Sequence, residues 1–282
     1  MEIRTIAVIG AGTMGGGIAQ TAAESGFHVI LEDVSEGLVV EGLGKIERRL
    51  EARVAEGKLE SGAKSAIAGR IRTVAKLDDC RGADLVIEAV IEKEEAKKAI
   101  FTALDVMCPP ETIFATNTSS IQITRLAGST KRPDRFIGMH FMNPAYVMKL
   151  VEIVKGVRSS ERTVNIAKKV CDSMGKVTVV VDDSPGFVSN RVLMPLINEA
   201  VFCLQEGVAS CEGIDTVMKL GAHHPMGPLE LADFIGLDTC LDILGILEAE
   251  LGEKFRPAPL LRKMVASGKL GRKNGEGFYE YR

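Results

Sequence analysis

The stretch "TIAVIGAGTMGGGIAQ" (5–20) restricts this chain more than any other part of it. A β-branched apolar run leads into Gly10, Gly12 and Gly15 at G-x-G-x-x-G spacing. Ile18, Ala19, Ala22 and Ala23 then follow as a helix of mainly small residues. In a strand–loop–helix the three glycines permit a tight turn, close approach of backbone to a pyrophosphate, and close packing of helix on strand. The helix start, with Thr13 and Met14 in its first turn, then offers unpaired N–H groups and a positive dipole end to the phosphates. Asp33 closes the next strand pattern, eighteen residues beyond Gly15. A carboxylate there suits the adenosine ribose hydroxyls and repels a 2′-phosphate. Glu32 adds to that repulsion and no arginine follows at once, so NAD is expected over NADP.

Short β-branched runs alternate with helical patterns through the first 180 or so residues, which predicts a mostly parallel sheet covered by helices. The expected strands are 5–10, 28–33, 84–90, 112–117, 135–140, 150–154 and 177–181, with a long charged helical region over about 35–76. The character changes at "DDSPGF" (182–187). Beyond it Val188, Val192, Leu196, Ala200 and Leu204 recur at helical spacing, with Ile197 and Val201 alongside, and no strand is expected before the final "GFYEY". The fold class is therefore α/β, a Rossmann-like doubly wound domain over 1–184 followed by an all-α domain over 185–282. The many apolar positions on the C-terminal helices suggest burial against a second copy, hence a homodimer.

A net charge of −3 gives no electrostatic reason to expect nucleic acid or a membrane surface. No apolar run approaches the length that spans a bilayer. Six dispersed cysteines show no metal-ligand spacing and fit a reducing compartment, so the protein is expected to be cytoplasmic and free of metal. His223 and His224 lack further ligands nearby and read as a loop before Pro225. His28 is expected to face solvent at the start of its strand.

Two polar residues interrupt strands that otherwise read as buried: His140 closes "RFIGMH" and Glu152 sits inside "LVEIV". Such groups are costly unless paired or functional. They lie symmetrically about Tyr146, so an antiparallel reversal of the two strands would make them cross-strand partners. A crossover connection would separate them.

With the glycine loop, Asp33, "EAVIE", "NTSS", "HFMNP", "DSPGFVSNR", "GAHHPMGPLELADFIGLD" and "GRKNGEGFYEY" in order, the chain resembles the L-3-hydroxyacyl-CoA dehydrogenases over essentially its whole length. Its size looks most like the bacterial 3-hydroxybutyryl-CoA branch of that family. Met142 stands where the family usually has phenylalanine, a change that keeps bulk and apolar character. The resemblance implies His140 as the catalytic histidine and Glu152 as its partner carboxylate. It implies Ser119 as a residue touching both nicotinamide and substrate, and Asn190 beside the substrate thioester. Glu92, Lys97 and Asn143 match cofactor contacts near the nicotinamide, and Lys273 would return from the helical domain to the cofactor. The family's coenzyme A contacts are poorly matched here. Arg49, Arg53 and Lys58 are the residues offered for the phosphates.

The implied reaction is NAD-linked, reversible oxidation of a short (S)-3-hydroxyacyl-CoA to the 3-oxoacyl-CoA. It would serve fatty-acid oxidation or a fermentative, butanoate-type route. Hydride leaves carbon while a proton leaves oxygen, and a histidine is suited to take that proton near neutral pH. Two rivals remain at this stage: a dehydrogenase of another 3-hydroxy acid, and a structural protein that keeps the cofactor fold without turnover. The first would be favoured by loss of "HFMNP" and "NTSS". The second would be favoured by a broken His–Glu pair or glycine loop.

Overall fold

The computed structural model describes residues 2–281. The chain divides into two compact units, Met1–Ser184 and Pro185–Arg282.

The first unit opens with β1 (Thr5–Ile9), α1 (Thr13–Glu24) and β2 (His28–Glu32). Next come α2 (Glu36–Ala55), α3 (Ser61–Ala68), β3 (Ile71–Val74) and β4 (Leu85–Glu88). After α4 (Glu94–Met107), β5 (Ile113–Thr116) and α5 (Ile123–Ala127), the chain forms β6 (Phe136–Phe141), β7 (Leu150–Lys155), α6 (Glu161–Ser173) and β8 (Val177–Asp182). The eight strands form one sheet in the order β3-β2-β1-β4-β5-β6-β7-β8. All neighbours are parallel except β6 and β7. Ile6, Ala7, Val8 and Ile9 are at most 1% exposed, as expected of a strand covered on both faces by helices.

Three sequence expectations need correction in this unit and the next. The charged region over 35–76 is not wholly helical, because Ile71–Val74 forms the edge strand β3. "GFYEY" makes only isolated bridges, Gly271 with Glu276 and Glu276 with Glu280, and no strand. The apolar positions expected on the long helix are only partly buried: Ile197, Ala200 and Val201 are, while others are not. In α7 (Ser189–Gln205) the buried face is Met194, Ile197, Asn198, Ala200 and Val201. Val188 and Val192 are 53% and 68% exposed.

The second unit continues with α8 (Cys211–Gly221), α9 (Pro228–Ile235), α10 (Leu237–Leu251) and α11 (Pro259–Ala266), packed around Ile197, Val201, Leu229, Leu244 and Leu261. Two buried aspartates tie it together. Asp215 accepts the N–H groups of Leu229 and Glu230, both at 2.9 Å, and the Tyr279 hydroxyl at 2.8 Å. It thereby caps α9 from another helix, where anionic oxygens suit the free N–H groups of a helix start. Asp233 accepts from the Phe278 and Tyr279 N–H groups and from the Tyr281 hydroxyl, which fastens the C-terminal segment. Among the described residues no helix is long and apolar enough to cross a membrane.

Asp215→Ala would leave one buried and two partly buried donors without this acceptor. It is expected to lower stability by about 2–4 kcal/mol, read as a shift in the urea-unfolding midpoint. An unchanged midpoint would mean that water replaces the carboxylate.

Candidate active site

At the end of β1 the backbone turns through Gly10, whose φ is +100° and whose N–H donates to the Glu32 carbonyl at 2.8 Å. A Cβ on Gly10 would stand 2.7 Å from the Ala89 carbonyl oxygen, and one on Gly15 only 1.7 Å from the Gly10 oxygen. Close approach therefore requires both glycines. Gly12 is the opposite case: a Cβ there would meet nothing within 4 Å. It is the N-cap of α1 and brings no side-chain cap, so the first-turn N–H groups take no acceptor from that position. The cradle fits a dinucleotide pyrophosphate, with Thr13 and Met14 in the turn that would meet it.

Asp33 is fixed beside that cradle. One carboxylate oxygen accepts the Ala11 N–H and the other the Val34 N–H, both at 2.8 Å. Glu32 is buried at 4% exposure. Burial, with the Asp33 charge added, pushes its carboxyl up to about 7. Asp33, with both oxygens tied to backbone N–H groups, is the carboxylate fixed beside the glycine loop.

The antiparallel register sets His140 directly opposite Glu152. Nδ1 of His140 lies 2.9 Å from Oε2 of Glu152, with both residues buried. An ionised carboxylate can only accept, so it fixes the Nδ1–H tautomer. The strand is also held from the other side. The β5–β6 ladder ends at Thr116 opposite Gly138, and Asn117 Oδ1 then accepts the N–H of Phe141 at 2.9 Å. The connection between β6 and β7 lies on α1: a Cβ on Gly17 would be 3.2 Å from Cβ of Ala145. Lys176 donates to the Ala145 and Met148 carbonyls at 2.6 and 2.8 Å, pinning the same connection, and Asn143 within it is exposed.

Ser119 lies in the loop after β5, at the C-terminal sheet edge where α/β folds place ligands. Glu92 accepts the Ser119 N–H at 2.9 Å and the Ser120 N–H at 3.2 Å. Lys97, offered from sequence as a cofactor contact, is only 1% exposed, and its ammonium is shared between Glu88 and Glu92. Sequence reasoning passed over Glu88, Asn117 and Lys176. Glu88 alone left a legible signal, as an acid closing an apolar strand run. On α2, Arg49 donates from Nε to Gln20 at 2.7 Å and sits 4.7 Å over the Tyr146 ring. Its Nη2 is the one buried side-chain nitrogen or oxygen among the described residues without a hydrogen-bond partner. Arg53 pairs with Glu24 and Lys58 with Glu56, both at 2.7 Å.

The remaining two residues belong to the second unit. Asn190 is in the first turn of α7, its N–H donating to the Gly186 carbonyl at 3.0 Å. Lys273 pairs with Asp238 in the first turn of α10.

A glycine cradle with its carboxylate, together with a buried histidine–carboxylate pair at the edge of the same sheet, defines an NAD-binding α/β dehydrogenase. The sequence profile of the 3-hydroxyacyl-CoA dehydrogenase NAD binding domain matches residues 5–184, and that of the 3-hydroxyacyl-CoA dehydrogenase C-terminal domain matches 186–281. The chain belongs to the 3-hydroxyacyl-CoA dehydrogenase family. It is 53% identical to a Bacillus subtilis (strain 168) protein named probable 3-hydroxybutyryl-CoA dehydrogenase, over 100% of this chain and 98% of that one. Identity to the 3-hydroxybutyryl-CoA dehydrogenase of Bradyrhizobium diazoefficiens is 51%, over 99% of this chain and 96% of the other. The crystal structure of (S)-3-hydroxybutyryl-CoA dehydrogenase from Ralstonia eutropha superposes with a TM-score of 0.97 at 46% identity, covering 100% of both chains.

Glu32 gives a pH test. Its folded-state value of about 7 exceeds the ordinary 4.5, so the folded chain holds this proton where the unfolded chain releases it. The stability it contributes is full below about pH 4.5 and is lost as pH rises through about 7. Glu32→Gln should remove that slope, leaving the variant about 1–3 kcal/mol more stable relative to wild type at pH 8 than at pH 4. Urea midpoints at the two pH values measure it. Parallel curves for the two proteins would show that Glu32 ionises freely in the fold.

Proposed function

We propose that the protein catalyses the reversible, NAD-linked oxidation of short (S)-3-hydroxyacyl-CoA thioesters, 3-hydroxybutyryl-CoA among them, to 3-oxoacyl-CoA such as acetoacetyl-CoA. The observation that carries this reading is the buried His140–Glu152 pair at 2.9 Å. The substrate named for the relatives in several bacteria supports the acyl-CoA assignment.

NAD supplies the hydride acceptor when bound. Gly10, Gly12, Thr13, Met14 and Gly15 would hold its pyrophosphate, Asp33 its adenosine ribose, and Glu92, Ser119, Asn143 and Lys273 the nicotinamide half. Nε2 of His140 accepts the 3-hydroxyl proton as hydride leaves C3. The imidazolium that forms needs a counter-charge in a partly dry site. Two unit charges about 4 Å apart attract by about 4 kcal/mol at an effective dielectric near 20. Glu152 supplies that charge and holds the ring in place. Ser119 and Asn190 position the 3-oxygen and the thioester. For the coenzyme A phosphates, Arg49 is the strongest candidate because its Nη2 is buried without a partner. Arg53 and Lys58 would have to leave their present ion pairs. The exposed apolar residues Val188, Val192, Val217 and Leu220 of the helical unit support a homodimer through that unit. A cytoplasmic location is proposed with it.

The purified protein should oxidise NADH rapidly with acetoacetyl-CoA, and not with free acetoacetate or with NADPH. Silence with the thioester alongside measurable NADH binding would sink the assignment. His140→Gln should keep NADH affinity and lower kcat by about 10² to 10⁴; a near-normal kcat would remove the general base. Asp33→Ala should weaken NADH by about tenfold or more and narrow its advantage over NADPH, as expected when a ribose acceptor is lost. Unchanged affinity for both nucleotides would remove the ribose contact.

A further inference from the structure

Glu88 closes β4 with 0% exposure, under the loop that carries Ser119. Its Oε1 accepts from the Lys97 ammonium at 2.6 Å and from the Val90 N–H at 2.7 Å. Its Oε2 accepts from the Thr116 hydroxyl of the neighbouring strand β5 at 2.7 Å. Lys97, 1% exposed in α4, reaches onward to Oε2 of Glu92 at 3.2 Å. Glu92 lies at the rim, its side chain 37% exposed. Its other oxygen takes the Ser119 and Ser120 N–H groups at 2.9 and 3.2 Å, the Ser120 hydroxyl at 3.0 Å and the Thr118 hydroxyl. A continuous line of hydrogen bonds and one ion pair therefore runs from the sheet interior to the backbone of Ser119.

A buried ion pair on its own contributes little to stability, because desolvation offsets the attraction and an apolar pair of similar volume does as well. Glu88 and Lys97 alone would suit a simple structural pair. The third charge changes that reading. Glu92 bridges the buried ammonium on one side and a concave group of loop N–H donors on the other, so it transmits position between them. Lys97 is almost wholly buried, with its ammonium held between the two carboxylates. Burial raises the Glu88 carboxyl above its usual range. The Glu92 carboxyl is held below it by Lys97 and the loop donors in spite of desolvation.

We infer that Glu88 is a positioning residue for the reaction: through Lys97 it fixes Glu92, and through Glu92 it sets the backbone of Ser119. This rests on the proposed reading of Ser119 as a group that touches nicotinamide and substrate. Lys97 is then the middle of a support, one step removed from the cofactor. The residue at 88 tunes how firmly the serine loop is presented.

A double-mutant cycle with Ser119→Ala tests it, read as kcat for acetoacetyl-CoA reduction by NADH. Glu88→Gln keeps shape and removes charge. It should lower kcat by about tenfold in the wild-type background, within the range of couplings between residues of one network. In the Ser119→Ala background the same substitution should change kcat by less than about twofold. A merely structural role gives equal losses in both backgrounds, and that additivity would overturn the inference, as would an unchanged kcat for Glu88→Gln alone. Thr116→Val, which deletes one bond to Glu88 together with the acceptor of the Thr118 N–H, enters the same cycle if the glutamine variant does not fold, with a loss of about threefold expected. Amide hydrogen exchange supplies a readout independent of turnover. The Ser119 and Ser120 amides should exchange about tenfold faster in either variant while those of β4 keep their rates. Unchanged exchange would refute the linkage. A wild-type protein inert toward acetoacetyl-CoA would strike the proposed function and leave the exchange result to decide the linkage.

Discussion

The reversal of chain direction between β6 and β7 is the constraint on which the candidate site depends. Every other neighbouring pair in the sheet is parallel, and a parallel neighbour to β6 would have required a long crossover. The short antiparallel connection instead sets His140 and Glu152 face to face. Each group is affordable in the interior only because the other is there. The same connection packs on Gly17 of α1 and is pinned by Lys176, so the helix that follows the glycine loop and the hairpin bearing His140 are packed together.

Around that pair, the first unit uses carboxylates as braces on backbone. Asp33 holds the N–H of Ala11 in the glycine loop, and Glu92 holds those of Ser119 and Ser120. In the second unit Asp215 and Asp233 do the same for α9 and the C-terminal segment. Loops at a ligand site cannot rely on the ladder bonds of strands, and an ionised acceptor inside hydrogen-bonding reach is a strong substitute. Such bracing suits a reaction that depends on the relative placement of two reacting atoms.

Much of this was legible beforehand because the signals are local. The glycine spacing, Asp33 at the end of a strand and the seven longer strand runs follow from residue type and order. The His140–Glu152 pairing was legible too, since symmetry about Tyr146 is a property of spacing. β3 was missed because "IRTV" is four residues long and trails a charged helical stretch. On α7 the expected Ile197, Ala200 and Val201 are buried while Val192 is exposed, because two apolar faces compete on that helix and only packing decides between them. "GFYEY" has the composition of a strand, yet its tyrosine hydroxyls and N–H groups are spent on Asp215 and Asp233.

By itself the sequence determined the class of cofactor, the mainly parallel sheet and the two polar residues that had to find partners. These depend on backbone freedom, strand periodicity and the cost of a lone buried charge. Only the tertiary structure decided what lies between residues distant in the chain. It buried Lys97 between Glu88 and Glu92, set Asn117 on the N–H of Phe141, and left Arg49 Nη2 buried without a partner. The reason is one of geometry. Burial and hydrogen-bond partners are properties of which elements meet, and no single stretch of sequence contains that information.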